Sequence, residues 1–262
     1  MADAARFAPL PSLSSTLRQR GKDRTTMAGM RRSLLFAAIA IAGLLGGCTN
    51  SVAGRPARPV NVVERALPTA GEIARILSSP VEADTAPQVG GLETLRDAKD
   101  TVSPHQCIGI THAGYRQSYE GGSVRDTGRR LWVTPYRSSA HLSAAVAIVE
   151  LDSTRNARSW YANSVKQWHK CQGMTVTERI TRLSFIQTID QVTDSNSTLA
   201  AKIGLSTDDR LISPGMNWRA LTAMSRYLVD VEVFRIGEAT DSADPDPTAI
   251  ARFVVDKIAG MR

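Results

Sequence analysis

Ser153-Thr-Arg-Asn-Ala157-Arg-Ser-Trp160-Tyr161-Ala-Asn-Ser-Val165-Lys-Gln-Trp168-His-Lys-Cys171-Gln-Gly173 is the most informative segment of this chain. Ala157, Trp160, Tyr161, Val165 and Trp168 recur at helical spacing and share one face of a 3.6-residue period, so 153–170 reads as a helix. Asp152 or Ser153 can cap its start. Trp160 and Trp168 lie on the apolar stripe and read as packing residues. Cys171 falls three residues past Trp168, at the end of the same face.

Strands flank this helix. Residues 144–151 are apolar enough for a central strand, and 130–136 read as an edge strand stopped by Pro135. Beyond the helix, 174–179 and 185–192 alternate as two strands, whereas 194–197 and 204–209 have loop chemistry. Residues 218–224 and 227–236 form a hairpin with Tyr227, Val229, Val231 and Val233 on one side. Asp246 as cap and Pro247 at the first helical position open a last helix with Ile250, Phe253, Val254 and Ile258 as its buried stripe. Upstream, Thr69-Ala-Gly-Glu72 is a capping box ahead of Ile73, Ile76 and Leu77, which predicts a short helix ending near Ser79. Residues 80–104 read as a long loop with a helical turn near 92–98. Consecutive strands joined by short turns favour an α+β domain, an antiparallel β-sheet with helices packed on one face.

The N-terminal region has a different logic. Met30-Arg-Arg32 is a basic head, and 33–45 carry no charge. That run matches the apolar part of a secretory signal and falls short of the roughly 20 residues of a membrane-spanning helix. It ends in Leu45-Gly46-Gly47-Cys48, which resembles the bacterial lipobox. The expectation is cleavage before Cys48 and diacylglycerol on its thiol, anchoring the chain to the extracytoplasmic face of the cell membrane. Residues 1–47 are then the signal peptide, with 1–29 an over-extended start and translation beginning at Met27 or Met30. Gly54, Pro56 and Pro59 mark 48–66 as a flexible tether, leaving 67–262 as a single domain.

The charge balance changes once the leader is set aside. Residues 1–47 hold 7 of the 32 Lys/Arg and 2 of the 25 Asp/Glu, which leaves 25 against 23, a net of +2. The excess of basic residues belongs to export, and no basic stripe is interleaved with aromatics, so nucleic acid is not an expected partner. Cys107 and Cys171 form an even pair in an exported chain and read as a disulfide rather than two free thiols.

Catalytic signatures are scarce. There is no Gly-x-Ser-x-Gly turn. The pairs Asp208-Asp209 and Asp244/Asp246 sit at turns or a helix cap, where short acidic residues belong. His105 and His112 bracket Cys107 without the second cluster that a zinc site needs, so they read as surface histidines and no metal or other cofactor is expected. His141 falls in a loop and His169 on the solvent side of the helix end. Tyr115, Arg116 and Tyr119, polar-tipped aromatics and a cation beside the Gly121-Gly122 turn, are the candidate ligand-binding residues.

Several of these features together resemble one family: the lipobox, the apolar helix after a tether, Cys107 set 64 residues before Cys171, and Ser159-Trp160 through Trp168-His-Lys-Cys171-Gln-Gly173. The hairpin Asn217-Trp218-Arg219-Ala220-Leu221 through Tyr227-Leu-Val-Asp-Val-Glu-Val233 adds to them. The family is the extracellular sensor domain of mycobacterial PknH-type receptor kinases, which also occurs alone on small exported lipoproteins, and the resemblance spans 67–262. It implies an antiparallel sheet flanked by helices around a cleft, with ligand sensing and no catalysis. Family domains commonly carry a second disulfide in the hairpin region. Here that pair is absent, and Trp218 stands near one of its positions. Nothing resembles a kinase phosphate loop or catalytic loop. The expected function is a lipid-anchored sensor or ligand-binding domain for a small molecule or envelope component. The alternative is a structural or protein-interaction lipoprotein that docks an envelope protein.

A deep cleft with a few convergent polar groups would favour the first reading, and a flat exposed apolar patch the second. A strongly perturbed histidine or carboxylate would raise the question of catalysis.

Overall fold

The structure, a computed structural model, describes residues 61–98, 101–135, 141–209, 212–237 and 244–261. Cys48, the leader and the tether up to residue 60 lie outside these residues. Five α-helices and ten strands follow in chain order. The N-terminal part holds α1 (Val62–Ala66), α2 (Ala70–Leu77), β1 (Glu82–Ala83), β2 (Gln88–Gly90), β3 (Val102–Ser103), α3 (Ile108–Thr111), β4 (Val124–Val133) and β5 (His141–Leu151). Next come α4 (Thr154–Cys171), β6 (Thr175–Ile180), β7 (Leu183–Ser195), β8 (Thr198–Thr207), β9 (Gly215–Met224), β10 (Tyr227–Ile236) and α5 (Pro247–Ala259).

The strands make one antiparallel sheet in the order β1-β4-β5-β10-β9-β8-β7-β6-β3, with β2 also paired to β4. From β6 to β10 the chain is a meander of hairpins, each strand pairing with the next. At the β7–β8 corner Asn196 and Ser197 both have positive φ (51° and 59°), the backbone of a two-residue hairpin turn. Strand β10 then pairs with β5, which closes the N-terminal strands onto the meander.

Alternation along the central strands divides the core in two. Leu142, Ala144, Val146 and Ile148 of β5, with Tyr227, Val229, Val231 and Val233 of β10, pack against α1, α2 and α5. Val149, Leu151, Leu221 and Leu228 face the other way, onto α4 and the 95–119 segment. Helices therefore cover both faces of the α+β sheet, where one was expected. The strand centres are apolar on both sides, and each side needs a layer to exclude water. Cys107 and Cys171 are joined, with Cα atoms 5.8 Å apart, and both are buried. The bridge ties the end of α4 to the start of α3.

Local chemistry explains the helix ends. Thr69 and Glu72 form the reciprocal capping box, Ser153 caps α4 through the Asn156 N–H, and Asp246 with Pro247 opens α5. In α5, Phe253 is only half-buried and Ala251 takes the inner position.

Helix α1 and its cap lie ahead of the expected boundary at Leu67. Asn61 caps α1 and donates a hydrogen bond to Asp126, and Val63 and Ala66 are fully buried. Val63 and Ala66 are three apart on one helical face, too short a pattern to stand out in sequence. The 80–104 stretch supplies β1, β2 and β3, which pair with β4 and β6. Strand β4 is therefore not an edge, and it starts at Val124, before the expected residue 130. His141 begins β5 rather than lying in a loop. Strand β8 runs to Thr207, through the first part of 204–209 that was expected as loop, because Leu199, Ala201, Ile203 and Leu205 alternate inward along it.

Candidate functional site

The site grows from the segment after Cys107. Ile108 and Ile110 bury α3 against the sheet, and the chain then turns through Gly114, whose φ is +66°. A Cβ at Gly114 would stand 2.8 Å from the Ala147 Cβ and 3.1 Å from the Arg129 Cδ. Glycine thus satisfies both the left-handed backbone and the close approach to β4 and β5. The turn is held by acidic side chains of β10: Ala113 N–H donates to Glu232 (2.8 Å) and Gly114 N–H to Asp230 (3.0 Å).

Beneath the turn lies a buried ion pair. Arg219 of β9 is fully buried and donates to Asp230 at 2.7 Å. Its guanidinium also donates to the carbonyls of Gly109 (3.0 Å), Ile110 (3.0 Å) and His112 (2.9 Å), and to that of Val231. One cation therefore satisfies orphan carbonyls at the end of α3 and neutralises a carboxylate, which is the pairing a buried charge requires.

Beside this pair, His112 is held between two carboxylates, with Nε2 3.1 Å from Glu178 and Nδ1 3.7 Å from Glu232. Tyr115 stacks on the imidazole at 4.5 Å between centroids and donates its hydroxyl to Glu178. Burial opposes a charged imidazole, yet Glu178 and Glu232 outweigh it and raise the His112 pKa to about 9. Burial also works against a charged Glu232, but His112, Arg219 and the Ala113 N–H bring its carboxyl down to about 2. Glu178 is lowered in the same way, against burial, by His112, Arg96 and the Tyr115 hydroxyl. Burial first, then the neighbouring carboxylates, pushes both tyrosine phenols up, so Tyr115 and Tyr119 stay neutral donors.

The turn separates two clefts. The larger, about 490 Å³, lies between residues 105–120 and α4, lined by His105, Tyr119, Trp160, Gln167 and Trp168 with Asp230 at its base. The smaller, about 200 Å³, opens over the sheet on the other side of the turn. Seven strands contribute to its walls. Arg129 comes from β4, Ser143 and Ala145 from β5, Glu232 and Phe234 from β10, Asn217 from β9, Leu205 from β8, Phe185 and Gln187 from β7, and Glu178 from β6. The register sets Glu178 opposite Phe185, Gln187 opposite Leu205, Asn217 opposite Phe234, and Glu232 opposite Ala145, so these residues form a band across the sheet.

The three residues expected to bind ligand are split by this geometry. Tyr119 lines the larger cleft and donates to Asp230 at 2.7 Å, and Tyr115 lines the smaller. Arg116 lines neither: it pairs with Asp97 and, at 3.4 Å, with Glu120 toward solvent. Arg116 opens a 3-10 turn over Arg116–Ser118, while its neighbour Tyr115 is buried. Trp168 is buried in the core, and Trp160 is partly buried with its Nε1 donating to the Ser118 carbonyl. His112, read as a surface residue, is buried, while His169 is exposed. Arg219, Asp230, Glu232 and Glu178 were not anticipated. Their signal was charge at inward positions of strands, as in Leu228, Asp230, Glu232 and Phe234 along one side of β10.

The PknH-like extracellular domain model matches residues 59–258. The chain belongs to the PknH-like extracellular domain family. The extracellular domain of PknH from Mycobacterium tuberculosis is similar in structure, with 18% sequence identity and a TM-score of 0.64 over 76% of this chain and 95% of that one. A putative uncharacterized protein from Mycobacterium smegmatis covers the same shares at 9% identity and a TM-score of 0.36, too low to support an argument. None of the curated proteins compared with the sequence matches it. As a PknH-like domain the chain is of extracytoplasmic type, and no helix among its described residues is long and apolar enough to cross a membrane. In this PknH-like domain Trp218 is buried, with the Arg235 guanidinium 4.8 Å over its ring, so a packed side-chain pair bridges β9 and β10 where relatives were expected to carry a disulfide.

Proposed function

We propose that this chain is exported, lipidated on Cys48, and holds its PknH-like domain at the extracytoplasmic face of the cell membrane as a ligand-binding sensor without kinase or other catalytic activity. One observation carries the ligand-binding part: two clefts flank a turn that is rigidly tied to the sheet by buried charges. A pre-formed concavity with a few convergent polar groups is the usual form of a small-molecule site. Ile180, 37% exposed, is the large apolar side chain standing most open among the described residues, which argues against a broad docking patch.

The perturbed groups argue against acid–base chemistry. A catalytic acid or base works with a pKa near the operating pH. His112 at about 9 and Glu232 at about 2 are both locked in their charged forms, as partners in an ion cluster rather than proton carriers.

Native mass spectrometry of the protein released from its own envelope tests the whole reading. The expected result is a diacylated Cys48 N-terminus with one small molecule bound per chain, absent when Ser143→Trp fills the smaller cleft or Gln167→Trp the larger. A bare chain that co-purifies with an envelope protein instead would favour the interaction reading.

A further inference from the structure

Three buried polar atoms at the smaller cleft, Arg129 Nε, Gln187 Oε1 and Asn217 Oδ1, have no hydrogen-bond partner among the described residues, and together with Arg96 they describe a ligand. Arg129 reaches it from β4 with its Nε fully buried and without a hydrogen bond. Neither Arg129 nor Arg96 has a hydrogen-bonding or ion-pair partner for its guanidinium among the described residues, where ion pairs are otherwise plentiful. Burial lowers the basicity of Arg129; Glu232 opposes this, and the neighbouring Arg96 guanidinium adds to it by repulsion. The Arg96 backbone is pinned by hydrogen bonds to Gly114 and Arg116, so its guanidinium, 5.2 Å over the Tyr115 ring, stays at the cleft.

Gln187 adds a donor. Its carboxamide lies 3.0 Å from His112 Nε2. The structure sets Gln187 Nε2 against the ring and leaves Oε1 buried without a partner; an imidazole held between two carboxylates carries N–H on both nitrogens, so the amide turned over, oxygen to the ring, places its NH2 in that unpartnered position. Asn217 has its Nδ2 committed to the Thr111 carbonyl and Glu232, leaving Oδ1 as an orphan acceptor suited to a hydroxyl. The charges at the cleft are Arg96, Arg129 and His112 against Glu178 and Glu232, a surplus of one positive charge. The remaining wall is apolar, with Phe185, Phe234, Leu205 and Ile180 toward the mouth.

We propose that the smaller cleft binds a small amphipathic anion, its acidic group held by Arg96, Arg129 and Gln187 and its apolar part resting on Phe185, Phe234 and Ile180. This rests on the reading of the domain as a ligand-binding one. Unpaired buried donors are costly, and a phosphate or carboxylate satisfies guanidinium groups with strong charge-assisted bonds. A phosphate monoester bound as its monoanion also carries a hydroxyl that Asn217 Oδ1 can accept from.

The described residues from 61 to 261 hold both cores and the disulfide, so binding is measured on the chain from residue 54 onward, with the full chain as control. The probes are hexyl phosphate, inorganic phosphate, hexylammonium and 1-hexanol, titrated by calorimetry at low salt. Hexyl phosphate is expected to bind saturably, with inorganic phosphate and hexanol at least about tenfold weaker and hexylammonium not saturating. Arg129→Gln is expected to weaken hexyl phosphate about tenfold or more. Should that variant not fold, Arg96→Gln, at an exposed position, carries the same test. Equal binding of hexylammonium or hexanol, abolished by Phe234→Ala, would overturn the anion assignment while leaving a ligand cleft in place. Inorganic phosphate binding as tightly as hexyl phosphate would overturn the amphipathic part. Saturation by none of the four would defeat this proposal, and a bare native mass would separately defeat the ligand-binding reading.

Discussion

The His112 cluster makes stability depend on pH in a direction that can be worked out. The imidazole is 11% exposed and sits between Glu178 and Glu232, and its pKa rises from 6.5 to about 9 on folding. The folded chain then holds its proton more tightly than the unfolded chain. The gain is fully present below pH 6.5 and is lost as pH rises through about 9. A difference of that size corresponds to about 3 kcal/mol. The lowered pKa of Glu232 is the same contact seen from the acid side, where stability is lost as pH falls from 4.5 through about 2, so the two gains are not added. Urea unfolding of the wild-type domain and of His112→Gln, measured from pH 6 to 10, isolates the effect. With a denaturant slope of about 2 kcal/mol/M, the wild-type midpoint should fall by about 1.5 M relative to the variant. A His112 ring titrating near 6.5 by NMR, or two superimposable pH profiles, would refute the reasoning.

Other outcomes follow from the same contacts. Arg219→Ala strips the cation from buried Asp230 and the donor from four backbone carbonyls, and should cost about 3–5 kcal/mol in urea midpoint measurements. The double variant Cys107→Ser, Cys171→Ser opens a 64-residue loop and should lower stability by about 2–4 kcal/mol, read as a drop in thermal midpoint under oxidising conditions. Gly114→Ala puts a methyl against Ala147 at a positive φ and should cost at least about 1 kcal/mol. Its NMR signature is displacement of the His112 and Tyr115 resonances ahead of the rest of the domain. Trp218→Ala removes a buried ring from the β9–β10 pair and should cost about 3–5 kcal/mol by the same unfolding assay.

The large elements were legible because each carries its own periodicity. The α4 stripe from Ala157 to Trp168, the alternation of 227–233 and the Asp246-Pro247 start of α5 are local patterns. The same rule would have found β8, where Leu199, Ala201, Ile203 and Leu205 alternate, but Lys202 and Gly204 between them obscured it. Short pieces were opaque for a different reason. Two residues of β1 or three of β2 have no period, and they are strands only because β4 offers them a free edge. Tyr115 and Tyr119 were visible as amphipathic residues near a turn. That they face separate clefts, and that Arg116 faces neither, depends on how the turn is pinned to Asp230 and Glu232 more than a hundred residues later.

Residue order alone therefore settled α2, α4, α5, the hairpin and the pairing of two cysteines, because these follow from side-chain period and short-range chemistry. It also carried the expectation of an export leader ending at Cys48. Which face each helix covers, and where the charges gather, was decided only in three dimensions. Arg219, Asp230, Glu232, Glu178 and His112 come from three strands and one turn, and a charge set inside an apolar strand has no visible partner until the sheet brings one to it.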